Sequence, residues 1–373
     1  MKPLDVYAKF PIAFTHAQDC RLFARDGRSF LDFYGGHGVI SIGHSHPQYV
    51  AALTEQLNRI AFYTNVVDIP EQQEICDLLG ELCGYPEYKA FFVNSGAEAN
   101  ENALKLASLH TGRSKVLAFK GAFHGRTALT SALTDLNYMK NPLSAGLDVE
   151  ILPFGDEEAL RNSLDEQVAC VILEGIQGVG GIKEASVDFM KVLRQQCDKF
   201  GALLIVDEIQ SGCGRTGLFF AHQRAQVRAD LVTMAKGIGN GFPVAMVLCA
   251  PALEPKKGML GTTFGGSYLA CAAMKTVLSV LQSQSLISRA GELGENLKQQ
   301  LRKIAGIKDV RGHGLMIGID FEGDVTAIRT KLLHEYRMIT GYSETTGTIR
   351  LLPPLTIASQ DIDELLRAFA QIS

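Results

Sequence analysis

A chain of 373 residues with 46% apolar and 20% charged residues can bury a full core, and its composition is that of an ordinary globular enzyme. The net charge of −4 supplies no footprint for nucleic acid or an anionic membrane, and no apolar run approaches the roughly 18 residues of a membrane span. Eight cysteines without a C-x-x-C pair argue against a disulfide framework or zinc site, and the N-terminus lacks a signal-peptide apolar region. A cytoplasmic enzyme with reduced thiols is expected.

Taken in chain order, His37, His44 and His46 look superficially like metal ligands. Gly43-His44-Ser45-His46-Pro47 reads instead as a turn before a helix starting near Pro47, and no metal is expected. The run 91–93 is a strand leading directly into a helix. Ser95 with Glu98 forms a capping box that fixes the helix start at Gly96. Gly96 and Ala97 lack bulk, so their amide N–H groups can approach an anion such as phosphate at the positive helix end. The helix dipole contributes only about 0.3–2 kcal/mol, so direct hydrogen bonds must carry most of that affinity. Alone, the segment is as readily a well-capped helix without a ligand. After a strand at 115–119 comes the glycine-flanked loop 121–127. Phe123 can cover one face of a flat heterocycle there, with Ile209 packing the other, and Arg126 can clamp a carboxylate.

Strand-like runs at 90–93, 115–119, 170–173, 203–206, 231–234 and 245–249 alternate with helical or loop stretches. That alternation predicts an α/β fold with a mostly parallel sheet flanked by helices. Leu203-Leu-Ile-Val206 reads as a strand buried on both faces, which puts Asp207 at the carboxyl edge where open α/β sheets bind ligands. Four aliphatics before Asp207-Glu208 also match a Walker B strand, but no Gly-Lys pair exists anywhere to make the phosphate loop. Gly212-Cys-Gly-Arg-Thr-Gly217 runs on into Leu218-Phe219-Phe220 instead of opening a helix, so it reads as a turn and not a dinucleotide fingerprint. The run ending at Lys236 delivers a lysine to the same edge as Asp207. An acid and a lysine together suit a cofactor with a basic ring nitrogen and an electrophilic aldehyde, and pyridoxal 5'-phosphate has both. Beyond it, a long helical pattern over 268–304 and strands at 314–321 and 348–352 predict a smaller α+β lobe. The expected division is 1–45, an N-terminal segment packing with the small domain, 46–267, the large domain, and 268–373, the small domain.

The motifs Asn94-Ser-Gly-Ala-Glu-Ala-Asn100, Phe123-His-Gly-Arg126, Glu174 with Gln177-Gly, Asp207-Glu-Ile-Gln210, Lys236-Gly and Thr263-Phe-Gly-Gly occur in this order. With them, the chain resembles a class III aminotransferase of the fold-type I pyridoxal-phosphate enzymes, and is most similar to the acylornithine aminotransferases, over nearly its whole length. The resemblance implies that Lys236 attaches to the cofactor aldehyde and shuttles the proton, and that Asp207 keeps the pyridine nitrogen protonated. By the same resemblance Gln210 bonds the ring hydroxyl, Phe123 and Ile209 sandwich the ring, and Ser95, Gly96 and Ala97 hold the phosphate. Thr263 reaches the phosphate in the neighbouring subunit, which implies a homodimer. For substrates it implies Arg126 on the distal carboxylate of the amine, Arg350 on the α-carboxylate of glutamate or 2-oxoglutarate, and contacts from Glu174 and His37.

Three departures stand out. Relatives usually carry a glutamate after the motif Gln-Gly, and it can neutralise the arginine matching Arg350; here that residue is Val179. The usual Glu-Pro is Glu174-Gly175, and the usual Gly-Gly-Asn-Pro is Gly265-Gly-Ser-Tyr268. These changes leave the cofactor chemistry intact and bear on the amine. The expected reaction moves the terminal amine of N-acetyl- or N-succinylornithine to 2-oxoglutarate, in arginine biosynthesis. The alternatives are another ω-aminotransferase acting on ornithine, 4-aminobutyrate or a lysine-type amine, or a pyridoxal-phosphate mutase or decarboxylase.

Overall fold

The computed structural model describes residues 1–372. A seven-stranded sheet runs in the order Lys89–Val93, Ala245–Cys249, Leu231–Met234, Leu203–Asp207, Val168–Glu174, Lys115–Phe119, Val149–Leu152. Every pairing from Leu231–Met234 to Val149–Leu152 is parallel, and only Ala245–Cys249 runs against both its neighbours. The mostly parallel α/β architecture expected from the alternating runs is therefore the one observed.

The aliphatic run 203–206 shows why such strands carry no polar face. Leu204 and Val206 pack with Phe189, Leu193 and Cys197 on one side of the sheet. Leu203 and Ile205 pack with Ala99, Ala103 and Ala107 on the other. Both faces are covered by helices, Val187–Phe200 and Gly96–Thr111, and alternate residues enter alternate cores. Each helix has local start and stop signals. Ser186 Oγ accepts from Phe189 N at 3.1 Å, and Gly201 and Gly112 close the two C-termini at φ of +63° and +70°.

The large sheet and the long helical pattern each differ from the sequence reading at one element. Val149–Leu152 is a parallel edge strand that the aliphatic runs did not reveal. It is short and half-buried, and it contains Glu150, which pairs with Lys115 at 2.9 Å. The helical pattern 268–304 is two helices, Tyr268–Ser283 and Leu286–Leu301. Ser285 between them adopts φ +51°, a left-handed conformation that ends the helical path although the apolar periodicity continues.

A four-stranded antiparallel sheet takes Ile307–His313, Met316–Phe321, Thr348–Leu351 and Gly341–Ser343. The chain's beginning forms another sheet, Phe14–Gln18, Arg21–Ala24 and Ser29–Asp32, closed by parallel pairing of Leu31 with Met338 and Asp32 with Ile339. The segment after Asp32 is thereby led toward the carboxyl edge of the seven-stranded sheet. Among the described residues, no helix is long and apolar enough to cross a membrane.

Candidate active site

Parallel register places Glu174 opposite Asp207, and Asp207 opposite Thr233. Three residues past Thr233 comes Lys236, so acid, acid and amine share one edge of the sheet. Asp207 is 3% exposed. Its Oδ2 accepts from Asn100 Nδ2 at 2.7 Å and lies 2.8 Å from His124 Nδ1, while Oδ1 accepts from Ile209 N at 3.0 Å. Asn100 is itself fixed by Thr233 Oγ1, which donates to its Oδ1 at 2.7 Å. The carboxylate is therefore locked in orientation from three directions. Neither Asn100 nor His124 was assigned a role from sequence; the signal available was only their place inside the Asn94–Asn100 and Phe123–Arg126 motifs.

Lys236 opens a single 3-10 turn, Lys236–Ile238, with its backbone at φ +47°. A non-glycine residue there costs roughly 1–3 kcal/mol, and such strain persists only where packing enforces it. Among the described residues its amine has no hydrogen bond or ion pair. Burial pushes its pKa down to about 8, against the pull of Asp207 and Glu174 and with the help of Arg350 and Arg126. Burial likewise raises Glu174 to about 7, and Asp207 adds to the rise while His124 opposes it. The Glu174 oxygens are engaged by backbone, Oε1 by Phe123 N at 3.0 Å and Oε2 by Gly178 N at 2.9 Å. This carboxyl ties together the loops that carry Phe123 and Gly178.

The helix start behaves as its composition implies, with one correction. Ser95 Oγ accepts from Glu98 N at 3.2 Å, but Glu98 returns to Asn94 N at 2.8 Å and not to Ser95 N. The expected capping box is half formed because Asn94 offers both its amide N–H and its side-chain Nδ2 to that carboxylate. At N1 and N2, Gly96 and Ala97 direct amides that make no hydrogen bond within the described residues. A Cβ on Gly96 would lie 2.8 Å from Ile209 Cδ1, so the missing side chain is what lets Ile209 close over the helix start. Ile209 itself lies past the end of the Leu203–Asp207 strand, in the turn closed by Asp207.

Arg126 is exposed and its guanidinium lies over the Phe123 ring, 5.1 Å from the centroid. Arg350 is the opposite case, only 5% exposed. Its Nη2 donates to Tyr34 Oη at 2.9 Å and to Tyr342 O at 3.1 Å, whereas Nε and Nη1 are buried without partners. His37 Nδ1 is 2.6 Å from Tyr34 Oη, and the His37 carbonyl accepts from Gln210 Nε2 at 2.9 Å. Gln210 in turn lies so close to Gly178 that a Cβ there would be 1.8 Å from its Oε1. Thr263 is exposed in the stretch before Gly265 and, among the described residues, makes no hydrogen bond to this cluster. His44 has no part in the cluster either: its Nε2 is 2.9 Å from Asp32 Oδ2.

Pyridoxal phosphate fits this set of residues. Bare helix-start amides suit its phosphate, an oriented carboxylate suits its ring nitrogen, and an amine kept low in pKa suits its aldehyde. Acid, amine and anion cup on one edge of an α/β sheet define a fold-type I transferase of that cofactor. Comparison with known proteins agrees. The model of the family described as aminotransferase class-III matches residues 5–372. The chain is 37% identical to an acetylornithine aminotransferase of Bacillus cereus, over 96% of this chain and 94% of that one. It is 36% identical to one from Methanopyrus kandleri, over 99% and 95% of the two chains. Among solved structures, the ornithine aminotransferase of Toxoplasma gondii, with pyridoxal phosphate partially occupying its active site, superposes with a TM-score of 0.91 at 28% identity, covering 99% of this chain and 92% of that one. The chain belongs to the class-III aminotransferases: it is a pyridoxal-phosphate-dependent enzyme that takes an amine and a keto acid as substrates.

Proposed function

We propose that this aminotransferase moves the terminal amine of an N-acylated ornithine to 2-oxoglutarate, giving the semialdehyde and glutamate, as a step of arginine biosynthesis in the cytoplasm. The observation that carries the reading is Arg350, buried with Nε and Nη1 unpartnered, together with Arg126 laid over the Phe123 ring, in a chain this similar to proteins named acetylornithine aminotransferase. Two guanidinium groups beside one amine suit substrates that each present a carboxylate away from the reacting nitrogen.

In this reading Lys236 attaches the cofactor and later carries the proton between substrate carbon and cofactor, which needs an amine that titrates near neutrality. When bound, the cofactor supplies an electron sink for the pair left on that carbon. Asp207, held by Asn100 and His124, keeps the ring nitrogen protonated. Ser95, Gly96 and Ala97 bind phosphate, Phe123 and Ile209 cover the ring, and Gln210 meets its hydroxyl. Arg126 grips the ornithine carboxylate at the mouth, and Arg350 grips the α-carboxylate of glutamate and 2-oxoglutarate. Glu174 positions the Phe123 loop, and His37 lies on the substrate side.

The reading includes a homodimer in which Thr263 serves the neighbouring site, and the division at residues 45 and 267 into an N-terminal segment, a large domain and a small domain. Val179 in place of a carboxylate leaves Arg350 without an anionic partner among the described residues, so its guanidinium stays available to the α-carboxylate of glutamate and 2-oxoglutarate. Glutamate formation with N-acetylornithine, N-succinylornithine, ornithine and 4-aminobutyrate in parallel tests the substrate. A preference of at least tenfold for one acylated ornithine supports it, and preference for a free ω-amine overturns it.

A further inference from the structure

Arg350 is buried, yet no carboxylate pairs with it among the described residues. Val179 has no carboxylate to offer, and its carbonyl accepts from Ser343 Oγ at 2.6 Å. What covers the guanidinium instead is a phenol. Arg350 Nη2 donates to Tyr34 Oη, and its carbon lies 5.5 Å from the Tyr34 ring centroid.

The seat of that ring is built into the sheet. Gly341 pairs with Arg350 across the antiparallel ladder, and a Cβ on Gly341 would lie 2.2 Å from Tyr34 Cε2. Only a residue without a side chain lets Tyr34 lie there. The phenol is latched on its other side, where its oxygen is 2.6 Å from His37 Nδ1. A hydroxyl has one proton and two acceptor lone pairs, so while it accepts from Arg350 it can still bond His37 Nδ1, as donor or as acceptor a second time according to the imidazole tautomer.

The choice of nitrogen decides what this contact does. A guanidinium holds a carboxylate by two parallel N–H bonds along an edge, and Nη2 is common to both such edges. Both protons of Nη2 are committed, one to the Tyr342 carbonyl and one to Tyr34. The carbonyl belongs to the ladder and is fixed; the phenol is a side chain and can move. A carboxylate arriving at Arg350 therefore gains its second bond by displacing Tyr34.

We propose that Tyr34, latched by His37, is a neutral, displaceable cap on Arg350 that sets the affinity of this enzyme for α-carboxylate substrates of the glutamate and 2-oxoglutarate class. The inference rests on the reading that Arg350 receives a carboxylate. A phenol competes with an incoming carboxylate far less than an anionic gate does, so the keto-acid half of the reaction meets a low barrier. The ornithine half, gripped at Arg126, leaves the cap in place and is indifferent to it.

Tyr34→Phe keeps the ring on Gly341 and removes the competing oxygen. Binding of glutarate, an unreactive dicarboxylate, is measured by calorimetry on cofactor-loaded protein, with the two half-reactions followed separately. The cap predicts that Tyr34→Phe tightens glutarate binding and lowers the KM for 2-oxoglutarate by about threefold to tenfold, the range of one net hydrogen bond. The acylornithine half-reaction changes by less than about twofold, and Val179→Glu weakens glutarate binding. Weaker glutarate binding in Tyr34→Phe, or equal change in both half-reactions, overturns the cap and makes Tyr34 a support for Arg350. Arg350→Lys separates the two claims. If glutarate binding survives that change intact, the assignment of Arg350 to substrate fails, whatever Tyr34 does.

Discussion

Attachment of pyridoxal phosphate to Lys236 needs the unprotonated amine, so in cofactor-free protein its rate follows the titration of that side chain. Burial holds Lys236 at about 8 where an ordinary lysine titrates near 10.5. At pH 7.5 about a quarter of the Lys236 amines are free, against about one in a thousand for a surface lysine, a difference of about two orders of magnitude. Stopped-flow mixing of cofactor with cofactor-free protein, read by absorbance between pH 6 and 10, gives the profile directly. The expected rate rises tenfold per pH step on the acid side and levels above about 8. Arg350→Gln, which removes a positive neighbour, moves the midpoint upward, and Asp207→Asn, which removes a negative one, moves it downward. A rate still climbing through pH 10 in the unaltered protein refutes the argument that burial prepares this lysine. The depressed pKa also acts on stability. The unfolded chain takes up the proton first as the pH falls from 10.5 through about 8, so the cofactor-free fold weakens across that window and this loss is complete below it.

Asp207→Asn leaves one acceptor oxygen where the carboxylate used both, Oδ2 for Asn100 Nδ2 and His124 Nδ1 and Oδ1 for Ile209 N, so at least one of the three contacts is lost. Turnover falls by two or more orders of magnitude, and thermal unfolding shows a loss of about 1.5–3 kcal/mol, the worth of a hydrogen bond to a charged group; an unchanged rate contradicts the ring-nitrogen role. Gly178→Ala forces Gln210 from its bond to the His37 carbonyl, and cofactor retention in dialysis drops while the fold persists. Full retention removes Gln210 from the site. Thr263→Ala mixed with Lys236→Ala tests the shared site: hybrids regain activity only if Thr263 serves the partner's cofactor, and hybrids that merely average the parents exclude it.

How much of this was legible in the chain depends on how local the cause is. The strand ending at Asp207 is visible because a fully buried strand must be aliphatic at every position, and the helix start at Gly96 because Ser95 and Glu98 mark it. Val149–Leu152 escaped notice since an edge strand needs no continuous apolar run, and Glu150 breaks the one it has. The break at Ser285 escaped because a single left-handed residue leaves the apolar periodicity on both sides intact. Within the site, the anion cup, Asp207 and Lys236 each announce themselves through neighbouring residues. Tyr34 does not. Its partner Arg350 is 316 positions away, and its seat exists only where the ladder sets Gly341 beside that arginine.

A single-turnover experiment bears most directly on the central assignment. Cofactor-loaded enzyme is given an N-acylornithine with no keto acid, and product is counted against active sites. The account predicts one equivalent of semialdehyde and then arrest, one equivalent of glutamate when the amine is removed and 2-oxoglutarate is added, and neither event in Lys236→Ala. Continued product formation without a keto acid would contradict it, because a decarboxylase or mutase returns its cofactor unaided and an aminotransferase cannot.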